Sequence, residues 1–211
     1  MLTAGALFSL ALMNMLAAEP APSLSLADIA ANVAKATTPG EEYQVDVTQT
    51  IAKTGAAQSE PPSRSTFVVT WTPSAGVATS KPTVESAGKD TEKTQASPSV
   101  QVQIDLLRSL KDLQKWKDIA VAAEQLDGRA CAKISAKNPN VDMSSVVWVD
   151  TERWCVVRII VEGQGKRIID GAFEHRRVND ACWLLSKANM KQESDGTVIY
   201  QEYGVYSIEK K

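Results

Sequence analysis

The run Ser145-Val146-Val147-Trp148-Val149-Asp150, followed by Thr151-Glu152-Arg153-Trp154 and then Cys155-Val156-Val157-Arg158-Ile159-Ile160-Val161, decides the fold. Two β-branched runs separated by a short polar interruption read as adjacent antiparallel strands. With the turn centred on Thr151-Glu152, Trp148 opposes Cys155 and Val146 opposes Val157, so these four share one surface. Arg158 then points to the other side, toward solvent.

Outward from this hairpin the same pattern repeats. Asp127-Gly128, Gly163-Gln164-Gly165, Asn179-Asp180 and Asp195-Gly196 punctuate β-rich runs at hairpin intervals. The runs are Cys131–Ser135, Val146–Asp150, Trp154–Val161, Arg167–Arg177, Cys182–Met190 and Thr197–Ile208, a meander. Upstream, Tyr43, Val45, Val47 and Ile51 alternate with Gln44, Asp46, Thr48 and Thr50, the mark of a strand with one buried face. Phe67, Val69 and Trp71 share a face of a second strand.

Two stretches are helical in period. Leu26, Ile29, Ala30 and Val33 form a stripe opened by Ser25 as N-cap and closed before Pro39-Gly40. Val102 to Ile119 carries Leu106, Leu107, Leu110, Leu113 and Trp116 on one face, ringed by Arg108, Lys111, Asp112, Lys115 and Lys117. Residues Pro73 to Ser99 are Ser, Thr, Ala, Pro, Lys, Glu and Gly with little apolar content. They read as a mobile loop before that helix, with a short edge strand around Val77–Ser80. These elements predict an α+β chain, a meander of about eight strands whose apolar face the two helices cover.

Met1 to Ala18 is uncharged and apolar, ends in small residues and is followed by Glu19-Pro20-Ala21-Pro22, a signal-peptide pattern without the usual basic start. The expected organisation is a signal peptide over 1–18, a spacer over 19–25 and one domain over 26–211. An uncleaved membrane anchor is the alternative localisation to a periplasmic one.

Composition narrows the function. The 211 residues have a formal net charge of −2, 44% hydrophobic and 23% charged side chains, one His and three Cys. The charge balance does not suit a phosphate-gripping nucleic-acid binder. A single His175, within Glu174-His175-Arg176-Arg177, has no nucleophile assignable beside it, and that run reads as a solvated strand end. Asp127, Asp150, Asp170 and Asp180 fall at turns or outward positions, where Asp makes local hydrogen bonds. Cys131, Cys155 and Cys182 lie on next-but-one strands, about 9.6 Å apart, beyond the roughly 7 Å a disulfide spans. The expectation is three free thiols, with a disulfide under a different strand order as the alternative, and no metal, no cofactor and no enzymatic activity.

The order Leu126-Asp127-Gly128-Arg129-Ala130-Cys131, Ser145 to Asp150, Val157-Arg158-Ile159, Gly171 to Leu185 and Asp195-Gly196 resembles the LolA/LolB-like periplasmic lipoprotein-carrier superfamily. His175 stands where that family has Tyr, Asp180 or Ala181 where it has Gly, and Leu185 where it has Pro. The resemblance covers about residues 124 to 208. It implies a half-open antiparallel β-barrel whose concave face is covered by helices over an apolar cavity. The implied activity is the non-enzymatic holding of an acyl chain or lipoprotein, as in outer-membrane lipoprotein sorting. A regulatory interaction module on the same fold, reading an envelope signal for a membrane protein, is the alternative. The residues expected to line the cavity are Phe67, Val69, Trp71, Leu106, Leu110, Leu113, Trp116, Val146, Trp148, Val157, Ile159 and Phe173. The partners implied are acyl chains and a membrane protein, the chain itself being a monomer that binds no nucleic acid.

Overall fold

The computed structural model describes residues 24–54, 61–71, 73, 78–82, 106, 109–180 and 182–208. The expected signal segment and most of the expected 73–99 loop lie outside the described residues.

Ser25 caps α1 (Leu26–Thr37), its Oγ accepting from the Asp28 amide at 3.1 Å. That satisfies one of the donors a helix start leaves unpaired. Leu26, Ile29, Ala30 and Val33 are the buried stripe of this helix.

The rest is one antiparallel sheet. Its strands are β1 (Tyr43–Lys53), β2 (Ser63–Trp71), β3 (Ala78–Pro82), β4 (Lys117–Leu126), β5 (Arg129–Lys137), β6 (Met143–Asp150), β7 (Cys155–Gly163), β8 (Lys166–Arg177), β9 (Trp183–Gln192), β10 (Thr197–Tyr203) and β11 (Ser207–Ile208). The order is β3-β2-β1-β10-β9-β8-β7-β6-β5-β4, with β11 also on β1. The sheet is not closed: β3 and β4 are its two ends. All neighbours follow one another in the chain except the pairs β1–β10 and β1–β11, and the β1–β10 pairing joins the two halves. The edge strand expected near Val77–Ser80 is β3, paired through Phe67↔Pro82 to Trp71↔Ala78.

Turn chemistry sets the tight hairpins. Asp127 and Gly128 have φ of 50° and 76°, and Gln164 and Gly165 have 52° and 69°. These are two-residue loops with both residues left-handed, the twist that suits a hairpin. The last expected strand, Thr197–Ile208, is broken at Gly204, whose amide donates to the Asp46 carbonyl at 2.7 Å.

Two expectations are corrected. The β6–β7 turn is the four residues Thr151–Trp154, closed by Trp154 N–H donating to Asp150 O at 2.8 Å. Asp150 therefore faces Cys155, and a bulge at Val157 then sets Trp148 opposite Arg158 and Val146 opposite Ile160. Arg158 shares the face of Trp148 rather than opposing it. The turn ends on Trp154 at a left-handed φ of 55°, which the sequence of a bulky aromatic does not advertise. Second, the helix expected to reach Ile119 is helical at Leu106 and over 109–113. The amides of Lys115 and Trp116 bond back to the Asp112 and Leu113 carbonyls, tightening the last turn. The chain then enters β4, where Ile119 is exposed.

Candidate functional site: the apolar face of the sheet

Strand alternation gives this sheet two chemically different faces. On the inner one, Tyr43, Val45 and Val47 of β1, Phe67, Val69 and Trp71 of β2, Ile134 of β5, Val147 and Val149 of β6 and Phe173 of β8 form a single core. Leu26, Ile29, Ala30 and Val33 of α1 and Leu106, Leu110 and Leu113 belong to the same core.

Beside it runs a row of apolar residues placed directly opposite one another across eight strands. The row is Ile51, Ile199, Met190, Gly171, Ile159, Val147, Ile134 and Val121. Ile134 and Val147 are fully buried, whereas Ile51, Ile199, Met190, Ile159 and Val121 are only partly covered. Gly171 is buried at the centre of the row, where the Phe173 ring packs over it: a Cβ there would stand 2.9 Å from Cζ of Phe173.

The next row inward contains Gln49 and Gln201, opposite each other and flanked by Ala188 and Phe173. Tyr203 donates its hydroxyl to Gln201 Oε1 at 2.9 Å, and Gln201 Nε2 donates to Gln49 Oε1 at 2.8 Å. Gln49 and Gln201 are 4% and 1% exposed. Burial holds the Tyr203 phenol well above its ordinary range, so it stays a donor. The sequence reading passed over this pair, although Gln49 occupies the gap between Val47 and Ile51 in the buried alternation of β1. That gap was the available signal.

Of the twelve residues expected to line a cavity, nine come together here. Phe67, Val69, Trp71, Leu106, Leu110, Leu113 and Phe173 are core members, with Trp116 and Ile159 packed against them. Val146, Trp148 and Val157 do not join them. They form a separate cluster with Cys131 and Ile160 on the other face, as the corrected register requires.

That outer face is polar between its few apolar contacts. Glu124 accepts from Trp148 Nε1 at 3.0 Å and from Lys133 Nζ at 2.8 Å. These bonds hold its carboxyl below the ordinary value. Lys133 and Arg158 flank the Trp148 ring, 5.5 and 5.8 Å from its centroid. Arg158 forks onto Asp170 at 3.1 and 3.0 Å, and Arg167 adds a third bond at 2.9 Å. The Arg158 bonds are the main reason the Asp170 carboxyl sits below its usual range. An open concavity of about 750 Å³ on this side is bordered by Arg158, Asp170, Glu174, Lys187 and Tyr200.

The expected turn aspartates behave differently from one another. Asp180 is exposed and Asp127 sits in its hairpin turn, but Asp150 is buried, accepting from the Glu152 and Arg153 amides at 2.9 and 3.0 Å. Asp170 is a partner in the outer ladder.

The three thiols are free and buried. Burial, with Asp150 adding, pushes Cys155 up to about 12, and burial alone takes Cys182 to about 11, so both stay protonated and poorly nucleophilic. His175 is not the solvated residue expected from its charged neighbours. Burial, helped by Arg129 and Arg153, lowers its imidazole to about 3, and Nδ1 is buried without a partner. Among the described residues, no group of three or more His, Cys, Asp or Glu is placed to hold a metal ion. No helix of the described residues is long and apolar enough to cross a membrane.

No protein-family model matches the sequence, and no curated protein matches it significantly. Solved structures do match its fold. A structure described as an outer-membrane lipoprotein-sorting protein domain from Vibrio parahaemolyticus aligns at 9% identity and TM-score 0.58, over 87% of this chain and 92% of that one. A LolA superfamily protein from Nitrosomonas europaea aligns at 9% identity and TM-score 0.54, over 89% and 95%. A DUF1329 family protein from Desulfovibrio piger aligns at 10% identity and TM-score 0.52, over 87% and 92%. The likeness lies in the backbone, spans most of each chain, and shows that this protein has a LolA-like fold.

Proposed function

We propose that this chain is an exported, non-enzymatic carrier or binding protein. It holds an acyl chain, or the acylated end of a lipoprotein, between the inner face of a half-open barrel and a lid made by its helices. One observation carries the reading: an apolar row crosses eight paired strands, and five of its side chains are left partly uncovered beside the finished core. An apolar surface of that extent rewards an apolar occupant, at about 0.8 kcal/mol for each methylene taken out of water. The residues gathered in the core support that row from beneath. A periplasmic location and lipoprotein sorting suit the LolA-like fold.

Native mass spectrometry of the purified protein tests this. A retained lipid is expected, and Met190→Glu should lose it while keeping the far-ultraviolet circular dichroism of the sheet. Wild-type protein that carries no lipid and takes none from mixed phospholipid vesicles would sink the proposal. A second reading, an envelope-signal interaction module on the same fold, is favoured by β4, an exposed strand at the end of the sheet with one side unpaired among the described residues. Purification without lipid but with a bound envelope protein would support it instead.

A further inference from the structure

The two ends of the open sheet are guarded unequally. The sequence of β3 is five residues long and closes on Lys81-Pro82. A lysine and a proline are residues that keep an edge from pairing with another chain. β4 is ten residues long, has no proline, and carries no charge from Ile119 to Ala123. Ile119, Ala120, Ala122 and Ala123 are exposed. Beside them lies an open concavity of about 530 Å³, lined among others by Leu24, Val121, Ala123, Ala130 and Ala132.

The hairpin fixes which way the β4 backbone points. The two-residue turn Asp127-Gly128 makes Leu126 and Arg129 a hydrogen-bonded pair. The next carbonyl, that of Ala130, turns the other way and accepts from the Thr151 amide at 3.0 Å. Backbone groups alternate along an antiparallel pair, so those of Ala122 and Glu124 face β5. Those of Val121, Ala123 and Gln125 face outward, with no neighbouring strand among the described residues. Toward Lys117 the register breaks, and Asp118 takes a left-handed φ of 52°. The regular edge is therefore Ala120–Leu126, and Ala123 is its centre.

An edge centred on one outward-facing residue is complementary to itself. A two-fold axis normal to the sheet at Ala123 sets Ala123 opposite the same residue of a second copy. Val121 then meets Gln125, Ala122 meets Glu124 and Ala120 meets Leu126. Each of Val121, Ala123 and Gln125 both gives and accepts a backbone bond. No two like charges face each other, and the alanines let the strands approach. We propose that β4 is the docking edge for a second copy of this chain, the two sheets joining antiparallel through Val121–Gln125 in an isologous dimer. This replaces the monomer expected from the sequence. It rests on neither functional reading above, and it sets a second copy in competition with a partner protein for the same edge.

The test follows the purified chain by sedimentation velocity and amide hydrogen exchange, in dilute and in concentrated solution. Wild type should pass from monomer to dimer as concentration rises, and the amides of Val121, Ala123 and Gln125 should slow with it. Those of Ala122 and Glu124, bonded to β5, should be slow throughout. Ala123→Pro deletes an outward-facing N–H and no bond to β5, so it should raise the dimer dissociation constant about tenfold or more. Ala123→Lys sets like charges opposite each other and should be monomeric, as should Ala123→Glu. Mixed together, those two should form the heterodimer. Ala123 is exposed, which lets the sheet accept both side chains, and the wild-type measurements need no variant. Wild type that is monomeric at every concentration, or a dimer that none of the three substitutions weakens, overturns the proposal. So does a Lys–Glu mixture that stays monomeric where wild type dimerises. Slow Val121, Ala123 and Gln125 amides in the dilute monomer would overturn it too, since another segment of the same chain would then hold the edge.

Discussion

Strand β6 shows both faces of the molecule within three residues. Val147 and Val149 are fully buried on the inner side, within the core that the helix residues share. Trp148, between them, faces outward, and polar partners cover much of its ring: Glu124 on its indole nitrogen, Lys133 and Arg158 over the ring. The inner face is closed by packing, in which no atom has an alternative partner. The outer face is closed by charges that water and salt compete for. A protein that must open one side to a ligand and stay soluble on the other uses both devices on the same strands. Stability therefore comes mainly from one face, and the partly uncovered row marks where that face is unfinished.

The largest expected effect tests the inner half of that contrast. Ile134 is buried completely on β5, opposite Val147. Ile134→Ala should cost about 2–5 kcal/mol, from the lost transfer free energy and the cavity left behind. A urea titration reads it directly. A loss below about 1 kcal/mol would mean that the inner face relaxes freely around the gap, and the contrast between a rigid inside and a negotiable outside would break.

His175, paired across β8 and β9 with the core residue Leu185, gives the next largest effect. Burial first, and the charges of Arg129 and Arg153 second, hold its imidazole neutral, at about 3 against an ordinary 6.5. Below pH 6.5 the unfolded chain takes up a proton that the folded chain refuses until about 3. Stability is thus complete above 6.5 and declines as pH falls toward 3, by at most about 1.4 kcal/mol per pH unit. Between pH 7 and pH 5, wild type should lose up to about 2 kcal/mol more than His175→Gln. Parallel slopes for the two proteins would show that the folded state admits a charged imidazole there.

Much of this architecture was legible in the sequence, for identifiable reasons. Alternation in β1 and β2 and the Asp127-Gly128 and Gln164-Gly165 turns depend on local steric rules, and those strands and hairpins sit where the pattern puts them. Val146, Trp148 and Val157 lie on the face opposite to the one expected, because a face assignment depends on register. Register there turns on a left-handed Trp154, which packs against the core, and on a bulge at Val157. The helix was read too long for a related reason: Leu113, Trp116 and Ile119 keep helical spacing. The segment Lys117-Asp118-Ile119-Ala120-Val121-Ala122-Ala123-Glu124 is a helix former by composition, made a strand by pairing with β5. Gln49 was missed because a glutamine among strand residues looks like a surface residue, even at a position whose parity is buried.

The smallest effect belongs to the outer ladder. Arg158→Ala removes two bonds to Asp170 and the contact with the Trp148 ring. Both partners keep access to solvent, so the cost should be about 1 kcal/mol or less, and smaller still at high salt. Its pH dependence has the opposite cause to that of His175. Asp170 is held below its ordinary 3.8 by Arg158, so the contribution is whole above that pH and fades as pH falls through the lowered value. Wild type and Arg158→Ala should differ at pH 7 and converge in strong acid, as seen in matched urea titrations. If Arg158→Ala instead costs as much as Ile134→Ala, charge closes this sheet as firmly as packing does. The two faces would then be equal in strength, and the open apolar row would need a different explanation from an inner face left incomplete for a ligand.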